Sequence, residues 1–131
     1  MHFINPSDWK RPTGYANGVI AEGRLFFVAG QIGWDTQQNL VSNDFGEQAA
    51  QALRNIVAVL EAGGAKPEYV VRMTWYVTDK RAYNAAAKAV GAAYREVFGT
   101  HYPAMTLVEV ADLLEDGALV EIEATAVVPF D

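Results

Sequence analysis

Hydrophobic residues first recur with helical spacing in the segment that follows Asp44. Apolar side chains occupy positions i, i+3, i+4 and i+7, namely Leu53, Ile56, Val57 and Leu60. Asp44 and Glu47 fit a capping box at the start of this segment, and Gly63 and Gly64 end it. The pattern therefore predicts an amphipathic helix with one apolar face.

A second apolar stripe predicts a second helix. It follows Asp79, which favours the N-cap position, and it ends at Gly99. The side chains that share its apolar face are Tyr83, Ala87, Val90, Tyr94 and Val97. Because the stripe covers one side only, we expect this helix to pack on a sheet or on the first helix.

The remaining apolar segments predict strands. They are Gly18–Ala21, Arg24–Ala29, Tyr69–Thr78, Met105–Val110 and Leu119–Val128. Residues 1–14 contain Pro6 and Pro12, and we interpret them as an irregular N-terminal arm. The predicted fold class is α+β, with two helices on one face of a mixed sheet.

The second face of this predicted sheet also carries apolar side chains. In the strand Arg24–Ala29 they occupy both faces, and in Tyr69–Thr78 the alternation places Val70 and Tyr76 on the second face. A sheet with helices on one side must expose its other face or bury it against another subunit. The mean hydropathy of +0.03 is high for a small chain and favours the subunit. We therefore expect a homo-oligomer.

Composition narrows the class of protein. The 131 residues favour a single domain, and the absence of cysteine excludes disulfide frameworks, thiolate nucleophiles and Cys-ligated metals. No apolar run reaches the roughly 18 residues of a membrane span, and no signal-peptide pattern is present, so we expect a cytoplasmic protein without a membrane partner. The net charge of −6 and the scattered Lys and Arg residues argue against a nucleic-acid partner.

Several short motifs follow one another in a distinctive order. They are Tyr15-Ala16-Asn17-Gly18, Phe27-Val28-Ala29-Gly30-Gln31-Ile32, Glu47-Gln48, Tyr76-Val77-Thr78-Asp79, Pro103-Ala104, Val108-Glu109-Val110 and Val120-Glu121-Ile122-Glu123-Ala124. Together they resemble the RidA/YjgF family of reactive imine and enamine deaminases. The resemblance implies a homotrimeric chorismate-mutase-like fold with clefts between subunits. It also implies hydrolysis of enamines and imines to 2-keto acids and ammonia, without a cofactor or a metal.

The same resemblance assigns candidate site residues. Glu121 matches the glutamate that contacts the ligand or the catalytic water, and we expect it to be the catalytic residue. Tyr15 matches the pocket tyrosine, while Gly30, beside Gln31, matches the glycine whose backbone approaches the ligand. These three residues are expected to bind substrate. From spacing alone, Glu121 and Glu123 could equally form hydrogen bonds or ion pairs at a subunit interface.

One position departs from the family pattern. In deaminating members an Arg follows the Pro-Ala motif and holds the substrate carboxylate, whereas Met105 stands there in this chain. A thioether cannot pair with a carboxylate. Losing such a contact removes about 1.5–3 kcal/mol, which weakens binding of an α-imino acid roughly tenfold to a hundredfold. Met105 is thus expected to line the pocket and to favour a larger or more apolar substrate.

The predicted second helix carries a second departure from the family pattern. Many family members have Asn where Gly91 stands here. The arm carries Lys10 and Arg11, which offer a replacement cation for the cleft.

The sequence is compatible with two functions. One is a divergent hydrolase that uses Glu121, and the other is a non-catalytic trimer that binds or senses a small molecule. RNA cleavage, attributed to some relatives, is disfavoured by the acidic charge. His2 and His101 lie far apart without partner motifs, so neither is expected to be a catalyst or a metal ligand.

Overall fold

A computed structural model describes residues 1–131. The strands are β1 (His2–Ile4), β2 (Gly18–Ile20), β3 (Arg24–Gln31), β4 (Val70–Val77), β5 (Ala104–Glu109) and β6 (Val120–Val128). The helices are α1 (Phe45–Ala62), α2 (Lys80–Ala85) and α3 (Ala87–Phe98), with a short 3₁₀ turn at Pro67–Tyr69. None of these helices combines the length and the apolar character needed to cross a membrane.

Four strands form one mixed sheet in the order β3-β6-β4-β5. β6 pairs antiparallel with both neighbours, whereas β4 and β5 are parallel and are connected through α2 and α3. β1 and β2 form a separate two-stranded sheet. The α1 and α3 helices pack together on one face of the large sheet, so the predicted α+β architecture is confirmed.

The core lies between this helix layer and the sheet. The apolar residues of α1 predicted to face inward are buried or half-buried there. From β6 the core receives Val120, Ile122, Ala124 and Ala126, as the alternation of that strand predicts. The Asp44 carboxylate caps α1 by accepting from the backbone N–H of Glu47 at 2.9 Å. The predicted capping box is only half formed. The backbone N–H of Asp44 donates to the Ser42 hydroxyl at 3.0 Å and not to the side chain of Glu47.

Three local predictions differ from the structure. The arm is not wholly irregular, because His2–Ile4 pairs with β2 as β1. The predicted second helix is divided at Ala86 into α2 and α3, so the helix layer contains three helices. Val70 belongs to the core rather than the second face, because a register shift between Val70 and Arg72 reverses the alternation at the start of β4.

A buried glutamine joins α1 to the loop that precedes β6. The Gln48 side chain is fully buried, and its amide nitrogen donates to the carbonyls of Ser42 at 2.9 Å and Gly117 at 3.0 Å. Its amide oxygen accepts from the backbone N–H of Leu119 at 2.8 Å. The side chain thus satisfies one backbone group in the loop before α1 and two in the loop before β6.

We expect Gln48→Leu to destabilise the protein by about 3 kcal/mol, because buried backbone groups lose their partners. Gln51→Leu is the matched control, since Gln51 lies on the same helix and bonds only to side chains. Urea denaturation measures both free energies of unfolding. Equal losses for the two variants would contradict this role of Gln48.

Candidate functional site

The predicted site residues form two groups in the folded chain. Gly30, Gln31 and Glu121 lie on β3 and β6 and are called the β3–β6 group. Tyr15 directly follows the arm and Met105 lies on β5, and the two are called the arm–β5 group. Since β3 and β5 are the two edge strands of the sheet, the groups lie toward opposite edges.

A bulge shapes the β3–β6 group. The register between β3 and β6 shifts between Val28 and Gln31, which leaves the backbone at Gly30 outside the regular ladder. A Cβ atom at Gly30 would collide with the Glu121 carboxylate, so only glycine leaves that carboxylate its place. The Gln31 side chain folds back and donates to the Ala29 carbonyl at 3.2 Å. The group therefore combines an irregular backbone segment with an adjacent carboxylate.

The two glutamates of β6 have different environments. The Tyr76 hydroxyl donates to Glu123 at 2.6 Å, and this hydrogen bond raises the pKa of the Tyr76 phenol above its ordinary value. Glu121, by contrast, has no hydrogen-bond or ion-pair partner within the chain. Glu123 thus has a structural contact, while the Glu121 carboxylate is available to a ligand or a water molecule.

Backbone pairing positions the arm–β5 group. The N–H of Ala16 donates to the Pro103 carbonyl at 3.0 Å, and Ala16 forms a parallel bridge with Ala104. This pairing places the exposed Tyr15 beside the start of β5. Met105 is half-buried and lines a cavity of about 550 Å³ on the helix side of the sheet.

Two arginines lie in the wall of the same cavity. Arg11 comes from the arm and Arg95 comes from α3. Sequence reasoning missed Arg95, although its i+4 spacing from Gly91 places both on one face of the helix. Tyr94 also lines the cavity and donates to the His101 carbonyl at 2.7 Å. Burial and the neighbouring Tyr102 raise the pKa of Tyr94, so its phenol stays neutral.

A single chain does not bring Met105 and Glu121 together. Met105 is in register with Met73, which is buried under the helices. Glu121 is in register with Tyr76, three residues further along β4 and therefore on the opposite face. On that opposite face the β3 side chains Leu25 and Phe27 are 64% and 71% exposed. The second face of the sheet is thus uncovered and partly apolar in the isolated chain.

Comparison with known proteins places this geometry in a family. The family model described as endoribonuclease L-PSP matches residues 9–128, which is nearly the whole chain. This chain belongs to the RidA/YjgF family. Its fold is accordingly the chorismate-mutase-like fold of that family, as the sequence motifs predicted.

Relatives of this RidA-family chain include named deaminases. A RutC family protein of Pyrococcus horikoshii is 39% identical, with 88% of this chain and 89% of the relative covered. The human 2-iminobutanoate/2-iminopropanoate deaminase is 34% identical, with 86% and 79% covered.

Solved structures of the same family superpose over most of the chain. The Rid family protein YyfB of Yersinia pestis gives a TM-score of 0.86 at 32% identity, covering 97% of this chain and 98% of that one. The YjgF protein of E. coli gives 0.68 at 35% identity, covering 86% and 87%. The family-model match over residues 9–128 includes both groups of candidate residues.

We expect Gly30→Ala to displace the Glu121 carboxylate while changing the free energy of unfolding by less than about 1 kcal/mol, because the colliding group is the end of a flexible side chain. Gly33→Ala is the contrasting variant, since its Cβ would meet the backbone of Gln48 and cost about 1–3 kcal/mol or more.

Urea denaturation measures both stabilities, and the ¹³C resonance of the Glu121 carboxyl reports its displacement. An unchanged resonance in Gly30→Ala would show that the two residues are not in contact.

Proposed function

We propose that this RidA-family protein hydrolyses a small enamine or imine in clefts between subunits, with Glu121 as the catalytic residue. The observation that carries the proposal is the unpartnered Glu121 carboxylate beside the bulged backbone at Gly30. The relatives named as deaminases support the same reaction class.

In the proposed reaction Glu121 acts as a general base toward water. The carboxylate accepts one water proton as the water oxygen bonds to the imine carbon, and it passes that proton to the nitrogen to give a carbinolamine. In the second step the carboxylate accepts the carbinolamine hydroxyl proton and passes it to the nitrogen as the C–N bond breaks. Ammonia and a carbonyl product leave, and the carboxylate is restored. An enamine enters the same sequence after it tautomerises to the imine. No electrons are transferred, so the residues of the chain suffice.

A second copy of the chain would complete the site. The β3–β6 and arm–β5 groups lie toward opposite edges of one sheet. A head-to-tail interface can bring the first group of one copy against the second group of the next, and such interfaces close into rings. The family's trimer is such a ring, and the uncovered Leu25 and Phe27 would be buried within it. We therefore infer a homotrimer whose clefts bind a small-molecule substrate through Tyr15, Gly30, Gln31 and Met105.

The principal alternative is a non-catalytic trimer that binds a small molecule. The observation that favours it is Met105, because the arginine that holds the carboxylate in deaminating members is missing from that position. Turnover separates the two functions, whereas binding is common to both.

The assay generates imino acids in situ from amino acids and follows the appearance of the 2-keto acid. We expect Glu121→Gln to lower the turnover rate by about 10²–10⁴-fold, as loss of a general base does. Glu123→Gln is the matched control on the same strand face, and we expect it to retain most of the activity because an amide still accepts from Tyr76. Met105→Arg should increase activity on 2-iminopropionate relative to larger apolar imines.

Retention of full activity by Glu121→Gln would contradict its catalytic role. The non-catalytic alternative would be established if the wild-type protein binds ligand saturably and neither it nor Met105→Arg turns over any of the imines.

A further inference from the structure

The cavity beside Met105 has the size and the walls of a ligand site. It encloses about 550 Å³ between the arm, β4, β5 and the α2–α3 layer. This volume lies within the range of about 300–1,000 Å³ that is typical of small-molecule sites. The aromatic residues and the methionine in its wall are Trp75, Tyr83, Tyr94, Tyr102 and Met105. Such walls favour a ligand with an aromatic or branched apolar group.

Trp75 supplies an unused hydrogen-bond donor in this wall. The residue is only 3% exposed, and its indole Nε1–H has no hydrogen-bond partner. Trp75 Nε1 is the only buried side-chain nitrogen or oxygen atom of the chain without a hydrogen-bond partner. Leaving such a donor unpaired costs about 1–3 kcal/mol, so these groups usually have a partner. Because the Nε1 atom itself is buried, it is the rest of the indole that forms the cavity wall.

The charges in the wall favour an anion. Arg11 and Arg95 both line the cavity. Neither guanidinium takes part in a hydrogen bond or an ion pair within the chain. The single ion pair of the chain joins Lys66 and Glu68. No Asp or Glu lines the cavity, although acidic residues outnumber basic ones in the chain. Two free guanidinium groups without a carboxylate between them constitute an anion-binding arrangement.

Gly91 makes room for one of these cations. A Cβ atom at Gly91 would lie 3.3 Å from the Nη1 atom of Arg95, which is closer than most side chains allow. Because Gly91 has no side chain, the Arg95 guanidinium can lie across this turn of α3. This gives a physical role to the glycine that replaces the Asn of many family members.

We propose that this cavity binds the carboxylate of an aromatic or branched apolar 2-imino acid, with Arg95 and Arg11 as a relocated anion clamp. The carboxylate pairs with the guanidinium groups, and the apolar group lies against Trp75, Met105 and the tyrosines. The 2-imino identity of the substrate rests on the proposed function, whereas binding of an apolar carboxylate does not.

The test measures binding of phenylacetate, its neutral amide phenylacetamide, and acetate by calorimetry. We expect phenylacetate to bind at least about tenfold more tightly than either of the others, since only it combines the charge with the ring. Arg95→Gln and Arg11→Gln should each weaken phenylacetate binding by a similar factor. Arg54→Gln, an exposed position on α1, is the matched control and should bind as wild type does.

A second readout does not depend on affinity. The ¹⁵N–¹H resonance of the Trp75 indole, assigned with Trp75→Phe, should shift when phenylacetate saturates the protein, because Trp75 lines the cavity. The indole resonances of Trp9 and Trp34, which do not line the cavity, should stay in place. Wild-type affinity in both arginine variants, equal affinity for the amide, or an unmoved Trp75 resonance would each overturn the proposal.

Failure of this proposal is distinguishable from failure of the proposed function. Tight, arginine-dependent binding without turnover of any imine would leave the clamp standing and refute the hydrolase. Turnover of phenylalanine-derived imine that is insensitive to both arginine substitutions would refute the clamp and leave the hydrolase standing.

Discussion

The alternation of β6 decides which residues reach each face of the sheet. This strand lies between β3 and β4 and pairs with both, so its side chains cannot change face without breaking two ladders. Its apolar positions complete the core under α1, and Glu121 and Glu123 are thereby placed on the open face. The bulge of β3 then brings Gly30, which has no Cβ, against the Glu121 carboxylate and leaves space for it. The candidate catalytic group is thus held by one of the two central strands of the sheet.

The same layering explains why the site is divided within one chain. Helices cover one face, and the cavity beside Met105 lies under them, whereas Glu121 lies on the other face. A site that needs both must combine two copies, and the edge strands β3 and β5 are the parts of the sheet free to meet. Oligomer formation and the completion of the site are therefore the same requirement in the proposed mechanism.

Much of this arrangement follows from sequence patterns, because helical stripes and strand alternation directly reflect burial. The core face of β6 and the cap at Asp44 are of this kind. Val70 was misplaced because a bulge has no signature in the alternation itself. The three backbone contacts of Gln48 and the placement of Arg95 in a cavity depend on how distant segments pack, which no local pattern records.

The central claim is that Glu121 of one copy and Met105 of another line the same cleft. Co-expression of Glu121→Gln with Met105→Glu tests it, since each variant alone would disable one group of the site. In mixed trimers about a quarter of the clefts would combine two intact groups, because each cleft takes one group from each of two copies. We expect turnover of the imine to recover to about that fraction of the wild-type rate. Recovery no greater than the sum of the two separate variants would contradict the shared cleft.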